Sequence, residues 1–357
     1  MGPSSYPPKL TILEKLDLVP ANLSLLAAAI YAAITGVFRG QSGHRYYSRH
    51  VTHAVIRKLV TRSSTRQNQA TVPSTDQVYE GLAKKKGFTP QTVSLDHGAL
   101  GHWIGDKNAK NVLIYFHGGG FATAAGAGFL QFPSDVLDQL TAAGKDIAIF
   151  YLTYTLTPHA VYPTQIQQAV GAVRHILHTT NRSPSDVFLS GDSAGGNLVL
   201  GVLSHVSHPH KAIEPLEISE PFAGAIPISP WVSFSQDYAS FKENQYKDIL
   251  TPAILKRWAE YYIAGKETDN FLEPLRAPAE WWAGLKVRDV LFVAGADELF
   301  LTPINMFVEK FKSAFPNTTY VVGKDEPHDA PIINKILRDK TETEQGKAYS
   351  SFLMSKL

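Results

Sequence analysis

The stretch that decides the fold is VFLSGDSAGGNLVLG, residues 187–201. An apolar run ends at Ser190, small and acidic residues surround Ser193, and a second apolar run begins at Leu198. A strand that turns this sharply into a helix forces its central residue into sparsely allowed backbone angles, and the flanking residues must be nearly free of side chain. The pattern G-x-S-x-G in this setting predicts a serine nucleophile raised above the edge of a sheet. A phosphate-binding loop would instead end in Gly-Lys-Ser/Thr, which is absent here.

The partners that such a serine needs lie downstream. A nucleophilic serine requires a base, an acid that orients the base and donors for the oxyanion, and with this turn the chain order is serine, acid, histidine. DVLFVAGADEL (289–299) reads as a buried strand that ends at Asp297, and TYVVGKDEPHDAP (319–331) as a strand followed by a loop with His328. Because parallel strands bring their carboxyl ends to one edge of a sheet, we expect Asp297 as the acid and His328 as the base.

Other acidic residues near these positions compete for the same role. Glu298 is adjacent to Asp297 and stays open as the alternative acid. Asp192 lies beside Ser193, and we interpret it as a structural residue whose side chain points away from the serine. Three acids flank the histidine and are interpreted as solvated loop charges: Asp325, Glu326 and Asp329.

The oxyanion donors are expected upstream of the serine. HGGGF (117–121) directly follows the apolar strand NVLIYF (111–116). Successive glycines allow backbone N–H groups to converge on one point, and this motif placed after a strand forms the oxyanion hole of lipases and esterases. The expected donors are the backbone amides of Gly119, Gly120 and Ala194.

Together, the motifs HGGGF, GDSAGG and GADEL and the loop with His328 resemble the hormone-sensitive-lipase-like branch of the α/β-hydrolase fold, the α/β-hydrolase-3 group. YTLTPHAVYP (154–163) is similar to the Tyr-Arg-Leu-Ala-Pro-Glu stretch of that family, although Thr155 and His159 replace its Arg and Glu. The resemblance covers about residues 90–355, and the chain looks most like fungal members. It implies the same site as the motifs do: a triad of Ser193, Asp297 and His328 with oxyanion amides on Gly119, Gly120 and Ala194.

The resemblance implies a serine hydrolase that cleaves carboxylic esters through an acyl-enzyme, without a cofactor. An apolar ester of the sterol or secondary-metabolite type is the expected small-molecule partner, and deacetylation is one form of this activity. The same triad would also support hydrolysis of an amide or formamide, or acyl transfer or cyclisation in a biosynthetic pathway. Two hypotheses from other classes remain: a binding protein that keeps the fold without turnover, and a membrane-tethered scaffold.

Composition excludes several other kinds of site. The chain has 357 residues, of which 44% are hydrophobic, and it has no cysteine, so a disulfide, a thiolate zinc site and a thiol nucleophile are excluded. A net charge of +2 gives no electrostatic reason to expect a nucleic-acid partner. The histidine clusters lack a carboxylate that would complete a ligand set, so no metal site is predicted. The oligomeric state is left open.

The pattern from about residue 90 alternates short apolar runs with helical segments, which predicts a mostly parallel sheet flanked by helices. Together with the resemblance, this pattern assigns residues 90–357 to an α/β-hydrolase domain. The resemblance further implies that an aromatic-rich insertion at about 231–282 forms part of a helical cap. The eight predicted strands lie near residues 92–96, 101–104, 111–116, 146–152, 187–190, 224–229, 289–294 and 319–322.

Residues 1–89 fall outside this alternation and predict a helical N-terminal cap. Residues 18–38 form an apolar helix, and no acidic residue occurs from Leu18 to Thr75. The helix is just long enough for a single membrane span, but the favoured interpretation is a helix that caps the active site and lies on a membrane. We expect membrane contact through residues 18–66 and a catalytic domain on the cytoplasmic side. The basic residues of this stretch are Arg39, Arg45, Arg49, Arg57, Lys58, Arg62 and Arg66.

Overall fold

The computed structural model describes residues 6–357 and contains one eight-stranded sheet flanked by helices. The strands are β1 Gln91–Ser94, β2 Leu100–Ile104, β3 Asn111–Phe116, β4 Ile147–Thr153, β5 Val187–Asp192, β6 Gly224–Ile228, β7 Val290–Gly295 and β8 Thr318–Gly323. The helices are α1 Ile12–Thr35, α2 Tyr47–Arg62, α3 Thr65–Thr71, α4 Thr75–Lys86, α5 Ala127–Ala142, α6 Thr164–Arg174, α7 Ala194–Ser207, α8 Ala239–Glu243, α9 Pro252–Ile263, α10 Leu301–Ala314, α11 Ala330–Ile336 and α12 Glu344–Lys356.

The order of the strands in the sheet is β1-β2-β4-β3-β5-β6-β7-β8. Strand β2 pairs antiparallel with both β1 and β4, and all other pairings are parallel. The predicted eight-stranded, mostly parallel sheet is therefore confirmed. Its parallel strands all present their carboxyl ends at one edge, where an open α/β sheet builds its site.

The central strands are buried on both faces, as near-continuous runs of Val, Ile, Leu and Phe predict. Every residue of β5, β6 and β7 is buried. One apolar cluster on each side of the sheet joins these strands to the surrounding helices. Residues at the carboxyl ends of these strands are consequently held on a rigid frame.

The N-terminal segment begins with α1, which packs against α2. Thr11 caps α1 in a reciprocal arrangement with Glu14, so the helix has a defined start. Ile12–Phe38 is long and apolar enough to cross a membrane, and only 17% of its most apolar window is buried. The large apolar side chains exposed on this segment are Ile12, Leu13, Leu16, Val19, Leu23, Leu26, Ile30, Tyr31, Ile34, Val37 and Phe38.

The basic side chains that follow α1 are mostly engaged within the protein. Arg45 forms an ion pair with Asp325 (2.9 Å), and Arg62 forms one with Asp17 (2.5 Å). The interactions of the others are Arg39 with three backbone carbonyls, Arg49 with Asn334 and Asp339, Arg57 with the Asp248 carbonyl, and Arg66 with Glu14 and the Lys9 carbonyl. Four of the seven positive charges in this run are therefore paired with carboxylates, which stabilises the fold of the segment and reduces the charge that faces an anionic surface.

Candidate active site

Ser193 occupies the turn between β5 and α7, in the strained conformation that the sequence predicts. Its backbone angles are φ 53° and ψ −114°, and its N–H donates to the carbonyl of Ile228 (2.8 Å). A side chain at Gly195 would overlap the carbonyl of Phe116, so glycine is required where α7 passes the end of β3. These contacts fix the serine above the sheet edge, at the N-terminus of a buried helix.

The HGGGF loop after β3 has the geometry of a donor loop. Gly119 and Gly120 have φ values of 96° and 59°, and a side chain on Gly120 would overlap the ring of Trp258. The Tyr154 hydroxyl holds the loop by donating to the carbonyl of His117 (2.8 Å). Within residues 6–357, no acceptor takes a hydrogen bond from the N–H groups of Gly119, Gly120 or Ala194. These three donors are therefore available to an oxyanion.

His328 is buried and lies between two carboxylates. Its Nδ1 is 3.7 Å from Oε2 of Glu298, and its Nε2 is 3.1 Å from Oδ2 of Asp329. Burial alone lowers the pKa of His328, but the charges and hydrogen bonds of Asp329 and Glu298 outweigh burial and raise this pKa well above its ordinary value. No hydrogen bond joins Ser193 Oγ to the imidazole in the described part of the chain.

Glu298 is fully buried, directly after the turn that ends β7. Its Oε2 accepts hydrogen bonds from the Ser229 hydroxyl (2.6 Å) and from the N–H of Gly295 (3.1 Å). These donors fix the carboxylate, and His328 is the cationic partner within reach. At 3.7 Å the two groups form an ion pair that is too long for a hydrogen bond.

The structure therefore corrects the choice of Asp297 as the acid that faces the histidine. The N–H of Asp297 donates to the carbonyl of Glu326 (2.9 Å), and its carboxylate points to Lys247, whose Nζ is 3.5 Å from Oδ1. No contact joins Asp297 to His328 among the described residues. The sequence alone could not decide which of the adjacent residues Asp297 and Glu298 faces the histidine, because successive side chains in a tight turn point in different directions.

Two of the loop acids that we interpreted as solvated are in fact buried, namely Glu326 and Asp329. Glu326 accepts hydrogen bonds from the backbone at the start of α12, and Asp329 contacts His328. Asp325 is the one that lies nearer the surface, where it pairs with Arg45. Asp329 is missed by sequence reasoning because polarity suggests exposure, whereas its left-handed backbone (φ 52°) turns it inward at the start of α11.

Asp192 lies below the serine and accepts a hydrogen bond from the Tyr115 hydroxyl (2.9 Å), in agreement with its structural interpretation. Burial and the nearby charge of Asp329 raise the pKa of Asp192, while burial raises that of Asp329. Two neighbouring carboxyl groups in an apolar site do not both ionise readily, so we expect them to share a proton.

A cavity of about 250 Å³ connects the candidate catalytic groups. Ser193, His328 and Gly119 lie along it, and apart from His328 and Asp329 its lining has no charged residue. Its apolar walls come from the N-terminal segment, the insertion and two helices of the main domain: Ile56, Leu59, Val60, Val72, Phe129, Ile249, Leu250, Ile254, Trp258, Ile333 and Ile336.

The helices that cover the serine differ in part from those expected. Residues of α2 and α3 line the cavity, whereas none from α1 does, so the apolar helix at 18–38 is not the one over the active site. From the insertion at 231–282, Trp258 is the single aromatic residue along the cavity. Other aromatic residues of the insertion pack in the core, as Tyr262 does against Phe121 with ring centroids 3.7 Å apart. Within residues 6–357, no group of His, Asp or Glu has an arrangement that could hold a metal ion.

Comparison with known proteins agrees with this fold. Residues 113–332 match the model of the Abhydrolase_3 family, described as an alpha/beta hydrolase fold. This match covers more than half of the chain, which therefore belongs to that family. The predicted resemblance to the α/β-hydrolase-3 group is confirmed, and the fungal character stays a prediction.

Curated relatives include enzymes with related names. The chain is 33% identical over 195 residues to an acetyl-hydrolase of Streptomyces hygroscopicus, covering 54% of this chain and 60% of the relative. It is 25% identical over 250 residues to steryl acetyl hydrolase 1 of Saccharomyces cerevisiae, covering 64% and 56%. The chain thus spans a little over half the length of these curated relatives.

Solved structures share the fold over more of the chain. An esterase from the bacterial hormone-sensitive lipase family superimposes with a TM-score of 0.63 at 24% identity, over 80% of this chain and 94% of that one. Carboxyl esterase 2 of the mycorrhizal fungus Tuber melanosporum has a TM-score of 0.61 at 21% identity, over 75% and 86%. These similarities establish the α/β-hydrolase fold.

Proposed function

We propose that this protein is a serine hydrolase that cleaves carboxylic esters through an acyl-enzyme. Ser193 is the nucleophile, His328 the general base and Glu298 the acid that orients the histidine. The observation that carries the proposal is that Ser193, His328 and the donor loop lie along one apolar cavity, while Glu298 contacts the other side of the imidazole. Relatives named acetyl-hydrolase and esterase support it.

The chemistry follows from these positions. His328 accepts the proton of Ser193 as Oγ attacks the ester carbonyl, and Glu298 fixes the imidazole and stabilises the imidazolium. The N–H groups of Gly119, Gly120 and Ala194 stabilise the oxyanion of the tetrahedral intermediate. His328 then protonates the leaving alcohol, and the acyl group stays on Ser193. Water, deprotonated by His328, releases the acid and restores the serine.

The cavity favours a neutral, apolar substrate. A volume of about 250 Å³ exceeds the ~150 Å³ that holds a benzene molecule, but it is below the range of about 300–1,000 Å³ that encloses drug-sized ligands. We propose that a short acyl group and the adjacent part of an apolar alcohol occupy it, with the rest of the alcohol at the mouth. Relatives named for acetyl esters, one of them steryl, are consistent with an acetylated bulky alcohol.

A series of p-nitrophenyl esters from acetate to palmitate tests the proposal on wild type and Ser193→Ala. The expected result is serine-dependent turnover that is greatest at acetate to hexanoate. Equal rates for wild type and Ser193→Ala would contradict it. Acetanilides and formanilides in the same assay test the second candidate function, which is hydrolysis of an amide or formamide. This candidate is supported by the name of a bovine relative, arylacetamide deacetylase.

For the N-terminal segment we propose contact with a lipid surface through α1, and a catalytic domain on the cytoplasmic side of the membrane. The exposed apolar side chains of Ile12–Phe38 support contact, because α2 covers only one side of the helix. We propose that the contribution is mainly hydrophobic, since carboxylates within the protein pair with four of the seven basic residues that follow α1.

A further inference from the structure

Asp248 is a buried acid in the insertion, and neither a motif nor the proposed chemistry accounts for it. Its carboxylate accepts three backbone hydrogen bonds. Oδ2 accepts from the N–H of Leu299 (2.8 Å), while Oδ1 accepts from the N–H of His328 (3.1 Å) and of Ile249 (2.7 Å). One side chain thus ties together the turn that carries Glu298, the loop that carries His328 and the insertion.

The position of Asp248 is in turn held from the N-terminal segment. Arg57 of α2 donates to the carbonyl of Asp248, and His53 Nδ1 lies 2.7 Å from the carbonyl of Lys247. Arg57 is part-buried at this contact and does not line the cavity. A chain of contacts therefore runs from α2 through Asp248 to both candidate catalytic loops.

A neutral side chain would not serve equally well at this place. The amide group of an asparagine would direct N–H donors at one of the three backbone N–H groups, so at least one bond would be lost. Backbone positions in the two loops set where Glu298 and His328 meet, and a displacement of about 1 Å at a reacting group can reduce a rate about 10²-fold.

We propose that Asp248 is a positioning residue of the reaction, which fixes the loops of Glu298 and His328 relative to each other and couples them to α2. This inference rests on the proposed ester hydrolysis. Asp248 does not line the cavity, so we expect its effect to fall mainly on the rate of the chemical step and to leave substrate binding nearly unchanged.

The test compares Asp248→Asn with Asp237→Asn, the same change at an exposed acid of the same insertion. The substrate is p-nitrophenyl acetate, and kcat is expressed per site labelled exhaustively by a fluorophosphonate, which removes unfolded protein from the comparison. Asp248→Asn is expected to lower kcat about 10²-fold with KM within about threefold. Asp237→Asn is expected to match wild type. A kcat per labelled site within about threefold of wild type for Asp248→Asn would overturn the inference.

The pH profile supplies a second readout that loss of packing would not move. Asp248, Glu298 and the proton-sharing pair of Asp192 and Asp329 all act on His328, and their negative charge favours its protonated form. Removal of one charge lowers the pKa of His328, so the acid limb of kcat/KM in Asp248→Asn is expected at lower pH than in wild type. An unmoved limb together with an unchanged kcat would leave Asp248 as an ordinary core residue.

Arg57→Met tests the coupling to α2, because it keeps an unbranched apolar stem and removes the guanidinium donors. A fall of kcat per labelled site of about threefold or more is expected, and no change would overturn the coupling.

Failure of the inference is distinguishable from failure of the proposed function. If wild type hydrolyses the ester and Asp248→Asn equals it, only the inference fails. If wild type neither turns over the ester nor is labelled at Ser193, the proposed function fails.

Discussion

The carboxyl edge of the sheet and the N-terminal segment use charged residues in opposite ways. At the sheet edge, buried acids lie on the two sides of one histidine: Glu298, and Asp329, which the sequence suggests to be a solvated loop residue. In the N-terminal segment, a run of basic residues is mostly paired within the fold, while apolar side chains of α1 face outward. The charged residues at the sheet edge surround the proposed general base, whereas those of the N-terminal segment form ion pairs that hold this segment in place.

Because of this difference, we expect substitutions in the two regions to have different effects. Changes at the sheet edge should alter the rate of the chemical step. Changes in the N-terminal segment should alter which ester is accepted or where the protein resides, except at Arg57, whose contact with Asp248 couples α2 to the catalytic loops.

The largest effect is expected from Glu298→Gln. Loss of the orienting carboxylate leaves the imidazole without its fixed tautomer, and the corresponding change in a serine protease triad reduces kcat about 10⁴-fold. Asp297→Asn serves as the matched control, because its carboxylate pairs with Lys247, and we expect less than about a tenfold loss. Steady-state kinetics on p-nitrophenyl acetate decide between them, and the reverse order would restore Asp297 as the acid.

A smaller effect is expected from Gly120→Ala in the donor loop. The added methyl group would overlap the ring of Trp258 at a residue with φ 59°, so the loop must shift. Displacement of one oxyanion donor typically lowers kcat about 10²–10³-fold. Gly171→Ala is the control, since its new methyl group meets no atom within 4 Å. Equal kcat values for both variants would remove the loop from the site.

A change in the wall of the cavity should alter specificity more than rate. Val60 of α2 lines the cavity, and Val60→Phe would narrow it. We expect the ratio of kcat/KM for hexanoate to that for acetate to fall about tenfold, with acetate little affected. Val322→Phe, at an exposed residue of β8, is the control. An unchanged ratio would mean that the acyl chain binds elsewhere.

The smallest effect on chemistry is expected from α1. Leu16→Ser, Leu23→Ser and Ile30→Ser combined remove exposed apolar groups far from the cavity, so hydrolysis of acetate in buffer should stay unchanged. Sedimentation with phosphatidylcholine vesicles should show at least a tenfold weaker partition, since each buried methylene contributes about 0.8 kcal/mol. Met306→Ser, at an exposed apolar residue of α10, should partition like wild type. Equal sedimentation of the triple variant would argue against lipid contact through α1.

Much of the sheet edge could be predicted because the signals are local. The turn at Ser193 and the glycine loop after β3 each consist of consecutive residues with a recognisable motif, and the structure has both in the expected places. The choice between Asp297 and Glu298 could not be made in this way. It depends on a hydrogen bond from the Asp297 N–H to the carbonyl of Glu326 in another loop, which sets the direction of both side chains.

Other parts of the site carry no local signal at all. Asp248 is about fifty residues before the acid, and its role follows only from the meeting of two loops in space. In the sequence, the basic residues after α1 suggest a surface that faces a membrane. The fold brings acidic partners such as Asp17 and Asp339 close to them, and composition cannot reveal these contacts.

The central claim is that Ser193 is the nucleophile, and stoichiometric labelling with a fluorophosphonate tests it most directly. Peptide mass spectrometry locates the adduct while hydrolysis of p-nitrophenyl acetate is followed in the same samples. We expect one phosphonyl group on the peptide with Ser193, and loss of hydrolysis in proportion to the labelled fraction. Full hydrolysis by completely labelled protein, or inactivation through an adduct on another residue, would contradict the claim.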